Sequence, residues 1–226
     1  AEQRLSAIKF ETDWDAAFGN ADLVVECINE NPQEKTEFYT KLAGHLPERT
    51  VILTDSSTML PSMFAEATGR PDKYMSLHFG NQIWRNNMTE LMRHDGTDPE
   101  VFELAAQFAE AIGMVPLKLN REQPGYILNS LLIPWFKAAT SLVATGVCDA
   151  ETVDKCWELA TGADPGQTPF RKLDKIGLVL ARNILSMDPA AKDPASGLAK
   201  SVAMLTGYID EGKTGVNAGE GFYKYE

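Results

Sequence analysis

The feature that most constrains this chain is a change of rhythm near residue 120. Before it, short apolar runs alternate with amphipathic stretches. Asp22 to Ile28 (DLVVECI) is a continuous apolar run of strand length. Gln33 to Leu46 follows, with Phe38, Leu42 and Leu46 on one helical face. Thr50 to Thr54 is short and β-branched, and Tyr74 to Phe79 and Val115 to Leu119 are further strand candidates. Pro61 to Gly69 predicts a helix with proline at its start and glycine at its end. Pro99 to Ile112 predicts another, capped by Asp98 and stopped by Gly113. Strands alternating with helices build βαβ units and a largely parallel sheet.

Beyond Pro124 only helical periodicity remains. Leu128, Leu131, Leu132, Trp135 and Ala139 form one apolar stripe, with Pro134 inside it as a candidate kink. Gly146 ends that helix and Asp149 caps the next, Ala150 to Ala160. Leu173 to Met187 and Leu198 to Ile209 read as two more, with Asp188 to Ser196 as a loop between them. The pattern divides the chain into an α/β part, residues 1–122, and an all-α part, residues 123–226. An α/β part of this kind is a Rossmann-type, doubly wound sheet, yet no G-x-G-x-x-G turn occurs in it. The sheet is therefore read as incomplete at its start.

Composition removes several functions. A net charge of −11 argues against a nucleic-acid-binding face. No run of roughly 18 apolar residues is present, so no membrane span is expected. Ala1 to Phe10 lacks the apolar core of a signal peptide. Cys27, Cys148 and Cys156 form no C-x-x-C, their number is odd, and two read as helical or strand-buried, which points to a reduced, cytoplasmic protein. His45, His78 and His94 have no metal-ligand spacing, and no metal site is expected.

The specific signal is a set of segments in fixed order. They are ADLVVECINEN (Ala21 to Asn31), TDSSTMLP (Thr54 to Pro61), LHFGNQ (Leu77 to Gln82), TELM (Thr89 to Met92), PGYILNSLLIP (Pro124 to Pro134) and GEGFYKY (Gly219 to Tyr225). In order and spacing the chain resembles the 3-hydroxyacyl-CoA dehydrogenases along nearly its whole length. The resemblance begins part-way into the cofactor domain, one or more βαβ units of roughly 30 residues late. The segment HFGNQIWRNN is most similar to the diketoreductase branch and to 3-hydroxybutyryl-CoA dehydrogenases.

The resemblance implies a mechanism and assigns roles. Taking a hydride from a secondary alcohol requires a base for the hydroxyl proton, and imidazole suits that work near neutral pH. His78 is implied to be the base in oxidation and the acid in reduction, with Glu90 orienting it, as the carboxylate does in hydrolase triads. Ser57 and Asn129 are implied to hydrogen-bond the substrate oxygen, and both can face a cleft between the two parts. Cofactor contacts carry over to Glu30, Lys35, Ser57, Asn81 and Lys213. Each has an ordinary reading too. His78 alone would be a satisfied core histidine, Glu90 a solvated carboxylate, Ser57 and Asn129 helix caps. Glu30 and Lys35 would be an exposed pair at a helix start. GEGFYKY reads as docking of the C-terminal tail.

The implied function is reversible, NAD-dependent interconversion of 3-hydroxy and 3-keto groups, most simply on a 3-hydroxyacyl-CoA in fatty acid metabolism. Gly80, Asn81 and Gln82 replace the family's usual F-N-P, and Thr168, Pro169 and Phe170 replace its G-P-F turn. Those departures make a diketo ester, a β-keto acid or a sugar acid a realistic substrate. A non-catalytic, crystallin-like relative is the alternative from another class, and the four intact catalytic positions argue against it. Without a glycine-rich loop, these residues alone are expected to have negligible affinity for NAD and to be inactive as they stand. Leu131, Leu132, Ile133, Trp135 and Phe136 leave an apolar surplus on one helix, and the resemblance implies a homodimer through it.

Overall fold

The computed structural model describes residues 7–225. They form two compact units, which meet in sequence between Leu128 and Asn129.

The first unit holds a five-stranded sheet whose strands follow one another in chain order. These are β1 (Leu23–Glu26), β2 (Val51–Thr54), β3 (Tyr74–Phe79), β4 (Met88–Met92) and β5 (Val115–Leu119). Three of the four pairings are parallel, and β3 with β4 is antiparallel. This is the arrangement of half of a doubly wound, Rossmann-type sheet. Both of its faces are covered, which is why β2 is buried at every position and reads as a continuous apolar run. Alternation then sorts the side chains. Leu53, Met75 and Leu77 pack on one face with Phe102 and Ala105 of α3 (Pro99–Ala111). Ile52 and Tyr74 pack on the other with Tyr39 and Leu42 of α2 (Pro32–Ala43).

Local chemistry sets the helix ends. Asn31 caps α2 by accepting from Gln33 and Glu34 amides, and Asp98 caps α3 by accepting from Glu100 N at 2.8 Å. A short helix the sequence did not announce, α1 (Trp14–Phe18), rests its Trp14 ring on Phe38. Pro61 to Gly69 is not one α-helix but two 3₁₀ turns, Pro61–Met63 and Glu66–Thr68. Gly69 still ends the stretch in the left-handed region, at φ 66°.

The second unit is helical. It comprises most of α4 (Tyr126–Ala144), then α5 (Ala150–Thr161), α6 (Pro169–Ile176), α7 (Leu178–Ser186) and α8 (Gly197–Asp210). The single helix expected over Leu173 to Met187 is two. Gly177 takes φ 90° and ψ 130°, and this positive-φ residue stops the α6 ladder before α7 starts. The C-terminal tail docks on α6. Asp174, 1% exposed, accepts from Phe222 N (2.9 Å), Tyr223 N (3.0 Å) and the Tyr225 hydroxyl (2.8 Å).

One helix stands out by composition, and one expectation, that of buried cysteines, needs correction. By length and composition alone, α4 is long and apolar enough to cross a membrane, and only 17% of its most apolar window is buried. Polar residues interrupt its apolar runs, and a core helix has the same length and composition. Among the cysteines, Cys27 and Cys156 are exposed and Cys148 is half-buried, so none is a core residue.

Candidate active site

One face of the sheet carries a line of polar residues at its carboxyl edge. Strand register places Glu26 beside Thr54, Thr54 beside Ser76, and His78 directly opposite Glu90. All share a face because side chains alternate. The β3–β4 hairpin is thus the device that pairs the histidine with the carboxylate, twelve residues apart in sequence.

His78 is 7% exposed and Glu90 is fully buried. His78 Nδ1 lies 3.1 Å from Glu90 Oε2, and His78 Nε2 lies 3.1 Å from the Ser57 hydroxyl. The other Glu90 oxygen accepts from Ile127 N at 2.8 Å and Leu128 N at 2.9 Å. A carboxylate only accepts, so this network assigns the neutral imidazole proton to Nδ1 and leaves Nε2 bare toward Ser57. The carboxylate's partners are the amides that open α4, whose first-turn donors have no partner within the helix. Glu90 is therefore neither solvated nor free to turn.

Tyr126 was passed over in the sequence. Its ring stacks on His78 with centroids 4.4 Å apart and planes inclined at 16°. Its hydroxyl donates to Ser56 O at 2.7 Å. Burial pushes its pKa well above that of a free phenol, so the hydroxyl keeps its proton and stays a donor. Tyr126 has φ 55°, a left-handed conformation uncommon for a bulky residue, and it is 1% exposed. Such strain persists only where surroundings impose it, and here the imidazole and the Ser56 carbonyl do so. An aromatic directly after Pro124–Gly125 was the available signal.

The serine pair divides its labour. Ser56 Oγ accepts from Met59 N at 3.1 Å, which is the capping role considered for Ser57. Ser57 is left to face the histidine. Its amide donates to Glu30 Oε1 at 2.7 Å, and Ser56 Oγ donates to the same carboxylate. Asp55, which precedes them, accepts from Phe79 N at 2.9 Å and locks the loop to the residue after His78. Burial lifts the Asp55 carboxyl above its ordinary range, with the Glu26 and Glu30 charges adding to it.

The expected cofactor contacts separate on inspection. Glu30 keeps 39% of its side chain exposed, and a half-open carboxylate at a strand's end suits the hydroxyls of a nucleotide ribose. Asn81 is exposed in the β3–β4 turn. With the Ser57 hydroxyl these are donors and acceptors of the kind a bound dinucleotide needs. Lys35 is the correction to the exposed-pair reading. It is fully buried, 2.7 Å from Glu26 and 3.6 Å from Glu30. Asn129 belongs to the helical unit, half-buried in the first turn of α4. Lys213 belongs to it too, where Glu211 (2.8 Å) and Glu220 (3.6 Å) already match its charge. Among the described residues no group of three or more His, Cys, Asp or Glu could hold a metal ion.

Known proteins resemble this chain along its length. Residues 1–123 match the family profile described as 3-hydroxyacyl-CoA dehydrogenase, NAD binding domain, and residues 125–225 match its C-terminal domain. The mitochondrial hydroxyacyl-coenzyme A dehydrogenase of Homo sapiens is 33% identical over 229 residues, covering 100% of this chain and 70% of that protein. A probable 3-hydroxybutyryl-CoA dehydrogenase of Deinococcus radiodurans is 30% identical, covering 99% of this chain and 78% of that one. Among solved structures, a diketoreductase studied for dual catalysis of dicarbonyl compounds is 43% identical, with a TM-score of 0.93 over 99% of this chain and 77% of its own.

Proposed function

This chain belongs to the 3-hydroxyacyl-CoA dehydrogenase family, and from that premise we propose that it interconverts 3-hydroxyacyl-CoA and 3-ketoacyl-CoA with NAD. The observation that carries the reading is the buried His78, held between Glu90 and Ser57. When bound, NAD+ would supply the hydride acceptor for oxidation and NADH the hydride donor for reduction. The protein's own part is the proton and its placement. In oxidation His78 Nε2 takes the hydroxyl proton while Nδ1–H stays on Glu90, which stabilises the imidazolium that forms. In reduction the same nitrogen returns a proton to the carbonyl oxygen. The Ser57 hydroxyl donates to that oxygen as its charge develops. Tyr126 shields one face of the imidazole and excludes water from it.

A second substrate is favoured by one specific observation, the 43% identity to a diketoreductase. In that reading Gly80, Asn81 and Gln82 open the pocket for a compact diketo ester. Assays with NADH separate the two. Acetoacetyl-CoA is expected to be reduced with the higher kcat/KM. A marked preference for the diketo ester would move the assignment to the second reading, and turnover of neither would remove both.

The proposal includes a homodimer through α4. Leu131 is 67% exposed, and Ile127 and Leu142 are each 41% exposed, on a helix apolar on most sides. Such surface is normally covered by a partner. Sedimentation at micromolar concentration is expected to give twice the chain mass, and a monomer there would withdraw the claim.

A further inference from the structure

Beneath the site lies a charged group the mechanism does not use. Glu26 is 2% exposed at the end of β1. Its Oε1 accepts from Lys35 Nζ (2.7 Å) and Ile28 N (2.6 Å). Its Oε2 accepts from the Tyr39 hydroxyl and from Thr54 Oγ1 (2.8 Å). Tyr39 in turn accepts from the Tyr74 hydroxyl at 3.0 Å. Burial works to raise this carboxyl's pKa, but Lys35 and the three other donors outweigh it and hold it below the ordinary range.

Two routes lead from Glu26 to consecutive amides of the Ser56–Ser57 loop. Thr54 Oγ1 donates to Glu26 and accepts from Ser56 N at 3.2 Å. Lys35 Nζ bridges Glu26 and, at 3.6 Å, Glu30, whose carboxylate accepts from Ser57 N at 2.7 Å. Ser57 Oγ then meets His78 Nε2 at 3.1 Å. A fully buried ammonium persists only beside a counter-charge, and the half-exposed Glu30 is too wet and too distant to serve alone. An isolated buried pair is weak evidence for stability, so its two-pronged connection to one loop needs another account.

We propose that Glu26 is a positioning residue for the active site. It fixes the Ser56 amide through Thr54 and the Ser57 amide through Lys35 and Glu30, and so sets the Ser57 hydroxyl against His78. The inference rests on the dehydrogenase reading of His78 and Ser57, and it gives Lys35 an indirect role in place of a first contact with the cofactor.

The test is Glu26→Gln in the whole protein, followed by amide hydrogen exchange resolved by NMR and by steady-state kinetics. Exchange protection at the Ser56 and Ser57 amides is expected to fall about tenfold as the loop opens locally. A misplaced hydroxyl is expected to lower kcat about tenfold, with the substrate KM nearly unchanged. Tyr74→Phe is the control, since it removes a bond from the same buried chain and leaves the Glu26–Lys35 pair. It is expected to leave both amides and kcat as they are. Unmoved amides in folded Glu26→Gln, or the same losses in Tyr74→Phe at matched stability, would overturn the proposal. If Glu26→Gln does not fold, Thr54→Val decides: it is expected to release the Ser56 amide, and an unchanged amide overturns the idea. If wild type turns over neither substrate while the two amides respond to Glu26→Gln, the positioning role stands and the activity reading fails.

Discussion

Glu90→Gln is expected to lower kcat by about a thousandfold while leaving the substrate KM within a few-fold. The argument turns on both carboxylate oxygens. Oε1 accepts from the Ile127 and Leu128 amides, and Oε2 faces His78 Nδ1. A glutamine must keep its carbonyl on the two amides, because an NH₂ there would confront two donors. Its NH₂ then faces Nδ1, which must become the acceptor. The imidazole proton moves to Nε2, the nitrogen that has to receive the substrate proton. Size and shape are nearly unchanged, so the loss belongs to the tautomer and not to packing. Nitrogen-15 shifts of the His78 ring would report the switch directly. A variant that keeps kcat within threefold, with the proton still on Nδ1, would remove Glu90 from the mechanism.

Asp174→Ala is expected to destabilise the protein by about 3 kcal/mol, roughly 10 °C in Tm, without entering the chemistry. Three donors converge on this one carboxylate: Phe222 N, Tyr223 N and the Tyr225 hydroxyl. Alanine would strand all three where little water reaches. Burial raises the Asp174 carboxyl above its ordinary 3.8, against the pull of these donors and of Arg171. The sign of the pH effect follows. A carboxyl whose pKa is raised on folding contributes stability that is present in full below 3.8 and is lost as pH rises through the native value. The stability gap between wild type and Asp174→Ala is therefore expected to widen on acidification. Thermal unfolding followed from neutral pH to pH about 4 measures it. A variant that melts within 2 °C of wild type would show that the tail is not held by this residue.

The two substitutions test different kinds of inference. Glu90 was legible from a motif, and the structure supplies the register that makes it buried and doubly anchored. Asp174 was not legible. Within Leu173 to Met187 it is one polar position of a helical pattern, and its three donors arrive 48 to 51 residues later in the chain. The tail that carries those donors reads as docking in the sequence, but nothing there names the carboxylate that receives it.

What the sequence determined by itself is what short-range physics decides. Tyr74–Phe79 and Val115–Leu119 emerge as strands with the limits read for them. Asp98 and Asp149 cap the helices they precede, since a cap acts through amides two or three residues away. His78, Glu90 and Ser57 were recognisable as a set because their flanking segments stand in order. The tertiary structure alone decided the rest, by removing water from particular groups. It turned Lys35 from an exposed helix-start charge into a buried partner of Glu26. It drove Tyr126 into a left-handed conformation against the imidazole, and moved the capping role from Ser57 to Ser56. It also broke one expected helix at Gly177. Each of these depends on which distant surface covers the residue, and desolvation of that kind leaves no periodic trace along the chain.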